Sequence, residues 1–102
     1  MIHVVARITV KVGQRSALID AMRQLIPLVL AEEGCIAYTP AIDAATDVER
    51  QAPADDNVLT MIEQWQSVEH LKAHLAAPHM AQFRDKVGDM VESAQLRILQ
   101  PV

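Results

Sequence analysis

The sequence predicts an α+β protein with the ferredoxin-like arrangement, in which helices cover one face of a four-stranded antiparallel sheet. Four segments carry strand-like apolar patterns, and apolar residues recur at helical spacing after the first and the third of them. The resulting order is βαββαβ. Because the chain has 102 residues and 51% hydrophobic composition, we expect residues 1–102 to form one domain with a modest core.

The first half of the chain predicts a strand, a long helix and a second strand. Residues 2–11 alternate in polarity, which is typical of a strand with one face buried. Apolar residues at helical spacing over 16–33 predict one helix, kinked by Pro27 and ended by Gly34. Residues 35–43 predict the second strand, and Pro40 favours a sheet edge or a bulge.

The second half predicts a loop, two strands and two short helices. Residues 44–57 are acidic and aperiodic, which indicates a loop, and residues 58–65 are apolar on both faces, which indicates a buried strand. Ser67 can cap a short helix that Pro78 ends. A further helix carries an apolar pattern from Met80 to Val91, and residues 94–100 predict the last strand.

Helices on one face would leave the other sheet face uncovered. That face would expose Val5 and parts of the third and last strands, more apolar surface than a small monomer usually shows. We therefore expect a homodimer that packs sheet against sheet.

Composition excludes several function classes. The net charge is −4 and no run of Lys or Arg is present, so nucleic acid is not an expected partner. We find no signal-peptide pattern and no apolar segment that could span a membrane, and the single Cys35 cannot form an internal disulfide. These features favour a soluble cytoplasmic protein with no membrane partner. No nucleophile elbow or phosphate-binding glycine loop is present.

Three of the four histidines lie within a short stretch, at His70, His74 and His79. His70 and His74 share a helix face, the spacing of a helical metal site, but no nearby Cys or carboxylate pattern completes a ligand set. We therefore predict no metal site and a solvent-facing His70. His74 lies at the margin of the apolar stripe, where it can be either a proton acceptor or a satisfied boundary residue. His79 opens the last helix, where it can be a neutral base or a cap.

Trp65 ends the third strand on the same face as Met61 and Glu63. It can fill the core under the helices or form one wall of an aromatic-binding cleft. Composition favours the first alternative. Cys35 is expected to be a small buried side chain, because no adjacent basic residue would activate its thiol.

Four segments together resemble the antibiotic biosynthesis monooxygenase superfamily, and most closely its bacterial quinol monooxygenase branch. They are EEGCIAY (32–38), MIEQW (61–65), HLKAHLAAPHM (70–80) and RILQP (97–101). The resemblance covers essentially the whole chain. It implies a homodimeric α+β barrel whose members oxygenate quinols and related polyphenols with dioxygen, without flavin, haem or metal.

On this resemblance, Trp65, Met61 and Phe83 would wall a flat aromatic ring and His74 would be the base, while His79 or Tyr38 would orient an oxygen. The chemistry needs little from the protein, because a deprotonated electron-rich phenol can reduce dioxygen directly. We therefore expect Trp65 and His74 to line a common cavity, and without one this form of the enzymatic hypothesis would fail on geometry.

The resemblance leaves other functions open, since the fold alone does not choose a reaction. Haem-degrading relatives use an Asn, a Trp and a His where this chain has Ala6, His74 and Arg84, which disfavours haem oxygenation. One alternative is a non-catalytic module that binds quinones or other small aromatic molecules. Another is a small-molecule isomerase, for which Arg84 and Lys72 form no convincing phosphate site.

Overall fold

The computed structural model describes residues 1–102 and contains one antiparallel sheet with three helices. The elements in chain order are β1 (Ile2–Val10), α1 (Arg15–Leu30), β2 (Cys35–Ala41), β3 (Val58–Trp65), α2 (Val68–Leu75), α3 (Pro78–Val87) and β4 (Val91–Leu99). The strand order is β2-β3-β1-β4. The ferredoxin-like α+β prediction is therefore confirmed. No helix is long and apolar enough to cross a membrane.

The local sequence features act where they were expected. Ser67 caps α2, since its hydroxyl accepts a hydrogen bond from the backbone N–H of His70 at 3.2 Å. Pro78 occupies the first turn of α3, where its missing N–H costs nothing. The exception is Gly34, which was predicted to end the first helix: α1 already ends at Leu30, and Gly34, with φ +81°, lies directly before β2. Pro40 lies on an edge strand, because β2 borders the sheet.

Several predicted boundaries are wrong, among them the end of the first helix, which was predicted at residue 33 and lies at Leu30. The apolar pattern up to Val91 predicted a long last helix, but α3 ends at Val87 and Val91 already belongs to β4. A short apolar run fits both the helical and the strand periodicity, so the pattern could not separate the end of α3 from the start of β4. In β2 the register shifts between Cys35 and Ala37 rather than at Pro40. β2 also ends at Ala41, two residues early.

The core lies between the sheet and the helices, and Trp65, Leu18, Met22 and Leu71 are among its fully buried side chains. α1 packs on β2, β3 and α3, and α2 packs on β3. β4 lies at the sheet edge beyond these helices, and none of its residues is fully buried. One end of the helix-covered face is therefore only partly closed.

Candidate active site

A cavity of about 400 Å³ lies between the sheet and α3, within the range that small-molecule sites occupy. Thirteen of its seventeen lining residues are hydrophobic. The lining residues are Ala6, Ile8, Leu18, Met22, Tyr38, Met61, Glu63, His74, Leu75, Met80, Phe83, Arg84, Val87, Gly88, Val91, Ala94 and Leu96. An apolar cavity of this size suits a flat aromatic molecule.

The polar groups are concentrated near one end of this cavity. Tyr38 and Glu63 are direct partners on β2 and β3, and Glu63 lies opposite Val4 of β1. Ile8 lies four residues after Val4 on β1 and is paired with Ala94 of β4, so this second row of cross-strand neighbours is apolar. At about 3.3 Å per residue, the polar and apolar rows are roughly 13 Å apart. The cavity can therefore hold polar substituents near β2 and a second ring or an alkyl group near β4.

His74 reaches this cavity from α2 and is almost fully buried, with a side-chain exposure of 2%. It is thus more buried than a residue at the margin of an apolar stripe should be. Its Nδ1 lies 2.9 Å from Oε2 of Glu32, and its Nε2 makes no hydrogen bond. Because an ionised carboxylate only accepts hydrogen bonds, this contact places the ring hydrogen on Nδ1. Nε2 is then the free basic nitrogen.

Trp65 does not line the cavity, which corrects the expectation that Trp65 and His74 share one. Its side chain is completely buried under the helices. The indole lies against the His74 ring, with centroids 4.7 Å apart and the two planes inclined by 37°. Its Nε1–H donates to Oε1 of Glu63 at 2.9 Å. Trp65 is therefore a core residue that supports two polar residues of the cavity, and it cannot touch a bound ring. The predicted active site with Trp65 as a wall is wrong, and an active site in this cavity would have to be formed by His74 with Tyr38, Met61 and Phe83.

His79 is also absent from the cavity lining, contrary to its predicted position beside the substrate. His79 lies at the start of α3, and its Nε2 is 2.8 Å from the same Oε2 atom of Glu32. Tyr38, Met61 and Phe83 do line the cavity. Tyr38 also meets the His74 ring edge-on, with centroids 5.4 Å apart.

Glu32 and Glu63 were not among the predicted site residues. Glu32 lies inside the EEGCIAY segment, but its partners are 42 and 47 residues away along the chain. Glu63 interrupts an apolar strand on its buried face, and that irregularity was the only local indication of a special role. Both glutamates became identifiable only once the elements were packed together.

Burial changes the acid–base properties of the β2–β3 residues. Burial, with a smaller contribution from the charge of Glu32, raises the pKa of Glu63 to about 7, and the hydrogen bond from Trp65 opposes this rise. Burial, with the negative charges of Glu63 and Glu32, also raises the pKa of Tyr38 well above its usual value. Tyr38 therefore stays a hydrogen-bond donor at all physiological pH values. Below neutral pH, Glu63 is predominantly a neutral carboxylic acid.

The remaining polar candidates lie away from the cavity or are engaged in other contacts. His70 is half-buried rather than fully solvent-facing as predicted: its side chain packs on Gly34, and its Nδ1 lies 2.7 Å from the Ser67 hydroxyl oxygen. Cys35 is only half-buried, and burial raises the pKa of its thiol. Arg84 borders the cavity, but its Nη2 donates to the backbone oxygen of Leu75 at 3.0 Å. No group of three or more His, Cys, Asp or Glu side chains is arranged to hold a metal ion.

Comparison with known proteins gives consistent matches along the chain. A family model described as antibiotic biosynthesis monooxygenase matches residues 1–86. The Escherichia coli K12 protein named "Probable quinol monooxygenase YgiN" is 45% identical, with 99% of this chain and 98% of that protein aligned. A solved structure from Mycobacterium tuberculosis has a TM-score of 0.80 at 26% identity and covers 99% of this chain and 94% of its own.

Two further solved structures have the same fold. One, from Pseudomonas aeruginosa, has a TM-score of 0.82 at 25% identity and covers 99% of this chain and 93% of its own. The other, from Nitrosomonas europaea, has a TM-score of 0.84 at 19% identity and covers 100% of this chain and 99% of its own. At the lower identity the similarity concerns the fold alone.

Proposed function

Because this chain belongs to the antibiotic biosynthesis monooxygenase family, we propose that it oxidises quinols or related small aromatic polyphenols with dioxygen and without a prosthetic group. One observation carries the proposal. His74 is buried, has its Nδ1 engaged by Glu32, and lines an apolar cavity large enough for a flat ring. A base in this position can deprotonate a phenol that has been removed from water.

In the proposed reaction, Nε2 of His74 takes the proton of a ring hydroxyl. The resulting phenolate is electron-rich enough to pass an electron to dioxygen. In a monooxygenation, one oxygen atom of dioxygen enters the ring to give a hydroxyquinone, and the other leaves as water. If the product is the simple quinone, both electrons and both protons end on hydrogen peroxide.

Other cavity residues have roles that follow from their chemistry. Met61 and Phe83 would contact the faces of the ring. Tyr38, which remains protonated because its pKa is raised, would donate a hydrogen bond to a substrate oxygen. Glu63 offers no positive charge to a phosphate-bearing substrate, and above neutral pH, where it is ionised, it would repel one. With Arg84 held by Leu75, the cavity offers little to the isomerase alternative.

We also propose that the protein acts as a homodimer through the uncovered sheet face. Ile62 and Leu99 point to that face, and each is 46% exposed. Val5, on the central strand β1, is paired with Ile62 of β3 and therefore lies on the same sheet face. These exposed apolar residues support sheet-on-sheet packing.

The test is oxygen uptake with a reduced naphthoquinone in the presence of a metal chelator. We expect His74→Ala to lower kcat by about 100-fold or more, the usual contribution of a positioned base. Leu71→Ala is the matched control, because Leu71 is equally buried on α2 but does not line the cavity. It should lose stability and keep its kcat.

Each contrary result removes a defined part of the proposal. Equal rates for the wild type and His74→Ala would remove His74 as the base. Complete loss of activity on chelation would remove the cofactor-free mechanism. Tight binding of a naphthoquinone with no turnover above background autoxidation would favour the non-catalytic binding module.

A further inference from the structure

A single carboxylate oxygen joins two histidines from different helices. Oε2 of Glu32, in the turn between α1 and β2, lies 2.9 Å from Nδ1 of His74 and 2.8 Å from Nε2 of His79. Side-chain exposure rises along this series, from 2% at His74 to 14% at Glu32 and 25% at His79. The three groups thus form a continuous hydrogen-bonded line from the cavity to the surface.

We infer that Glu32 and His79 are positioning residues for His74, an inference that rests on the proposed function. Glu32 holds the hydrogen of the His74 ring on Nδ1, which leaves Nε2 free to take the substrate proton. The carboxylate also stabilises the imidazolium that forms when that proton arrives. His79 donates a second hydrogen bond to Oε2, which fixes the carboxylate in the direction of His74.

The packing around His74 leaves its ring little freedom. The Trp65 ring lies against the His74 ring at a tilt of 37°, with centroids 4.7 Å apart, and Tyr38 meets it edge-on at 5.4 Å. With Nδ1 tied to Glu32, both the plane of the ring and its rotation within that plane are defined. A base held in this way loses little freedom when the substrate binds, which is how orientation contributes to rate.

Other ionisable groups also lie near the His74 ring. Glu63 approaches it from β3, and Tyr38 and Cys35 approach it from β2. None of them makes a hydrogen bond to the His74 ring, whereas Glu32 does. On the outer side, Nε2 of His70 lies 3.9 Å from Glu33, separate from the Glu32 contacts. Glu32 is therefore the carboxylate that defines the tautomer of His74.

The first experiment compares the wild type with Glu32→Gln, and thermal melts confirm that both are folded. We expect kcat to fall by about 10- to 100-fold, by analogy with the loss of a carboxylate that orients a metal-bound histidine. KM should change by less than threefold, because Glu32 does not line the cavity. Long-range ¹H–¹⁵N spectra should show the Nδ1–H tautomer of His74 in the wild type and a mixture of tautomers in Glu32→Gln.

The second experiment separates a hydrogen-bond role for His79 from simple filling of space. His79→Gln keeps an N–H that can reach Glu32 and should retain most of the wild-type kcat. His79→Ala removes that donor and should lose about tenfold. The same order should hold for the fraction of His74 in the Nδ1–H tautomer.

A Glu32→Gln protein with kcat within twofold of the wild type and an unchanged His74 tautomer would overturn the inference. Equal kcat values for His79→Gln and His79→Ala would remove His79 from it. Failure of the proposed function has a different outcome, because no variant, nor the wild type, would then oxidise quinols. The tautomer spectra do not depend on turnover and would still decide whether Glu32 positions His74.

Discussion

Trp65 determines the environment of two polar side chains although no ligand in the cavity can touch it. Its ring face supports His74, and its Nε1–H satisfies one oxygen of the buried Glu63. The sequence indicated that Trp65 and Glu63 share a strand face, but it could not indicate their hydrogen bond. That contact depends on the rotamers which the overlying helix imposes.

Glu63 should make stability depend on pH. An exposed glutamate has a pKa near 4.5, whereas burial raises the pKa of Glu63 to about 7. The folded state therefore holds a proton that the unfolded state has released between these two values, and stability falls as pH rises through this window. From pH 5 to pH 8 the loss attributable to Glu63 is about 2 to 3 kcal/mol.

Glu63→Gln provides the measurement of this effect. Glutamine keeps an oxygen that can accept from Trp65 but cannot ionise. In urea unfolding, the wild type should lose about 2 to 3 kcal/mol of unfolding free energy between pH 5 and pH 8. The variant should lose less than about 1 kcal/mol over the same range. Equal pH dependence in both proteins would show that Glu63 does not carry the effect.

At the scale of elements, the turn between α1 and β2 both reverses the chain and positions a carboxylate. Gly34 ends the turn with a positive φ, and Glu32, two residues earlier, reaches both His74 and His79. A left-handed glycine at the end of this turn was predictable from sequence, but its predicted role as the stop of α1 was wrong, because α1 ends at Leu30 and Gly34 lies directly before β2. The convergence of Glu32 with α2 and α3 was not predictable, because it depends on how three separate elements pack.

Gly34→Ala should be more harmful than the same change at Gly13. Both glycines have positive φ, +81° and +82°, so each alanine carries a strain of about 1 kcal/mol. A Cβ at Gly34 would also overlap Cγ of His70, whereas a Cβ at Gly13 meets nothing within 4 Å. We expect Gly34→Ala to lose at least about 1 kcal/mol more in urea unfolding, since overpacking displaces the His70 ring.

The Gly13→Ala protein is the internal control for strain alone. Similar losses in the two variants would mean that His70 moves aside freely and that α2 is not tightly held against the turn. A larger loss at Gly34, accompanied by reduced quinol oxidation, would connect this packing to the position of Glu32.

At the scale of the whole molecule, the sheet is larger than the surface that the helices cover. α1 and α2 pack over β2 and β3, and β4 remains exposed on both faces. Leu96 and Ile98, on the helix side of β4, are 43% and 50% exposed, in addition to Ile62 and Leu99 on the open face. Alternation in the sequence predicted the open face. It did not predict exposure on the helix side, because strand order and helix placement decide which strand lies beyond the helices.

The homodimer proposal can be tested by placing a charge at the centre of the open face. Ile62→Lys would bury an unpaired ammonium group if two sheets packed face to face, a cost of several kcal/mol. Since about 1.4 kcal/mol corresponds to a factor of ten, the dimer should dissociate at least about 100-fold more readily. Leu28→Lys is the matched control, because Leu28 is 54% exposed on α1, against 46% for Ile62, and lies away from that face. In sedimentation experiments the wild type and Leu28→Lys should have twice the 11.3 kDa chain mass, and Ile62→Lys should have the mass of a single chain. A wild type that is monomeric at micromolar concentration, or an Ile62→Lys protein that stays dimeric, would rule out association through this face.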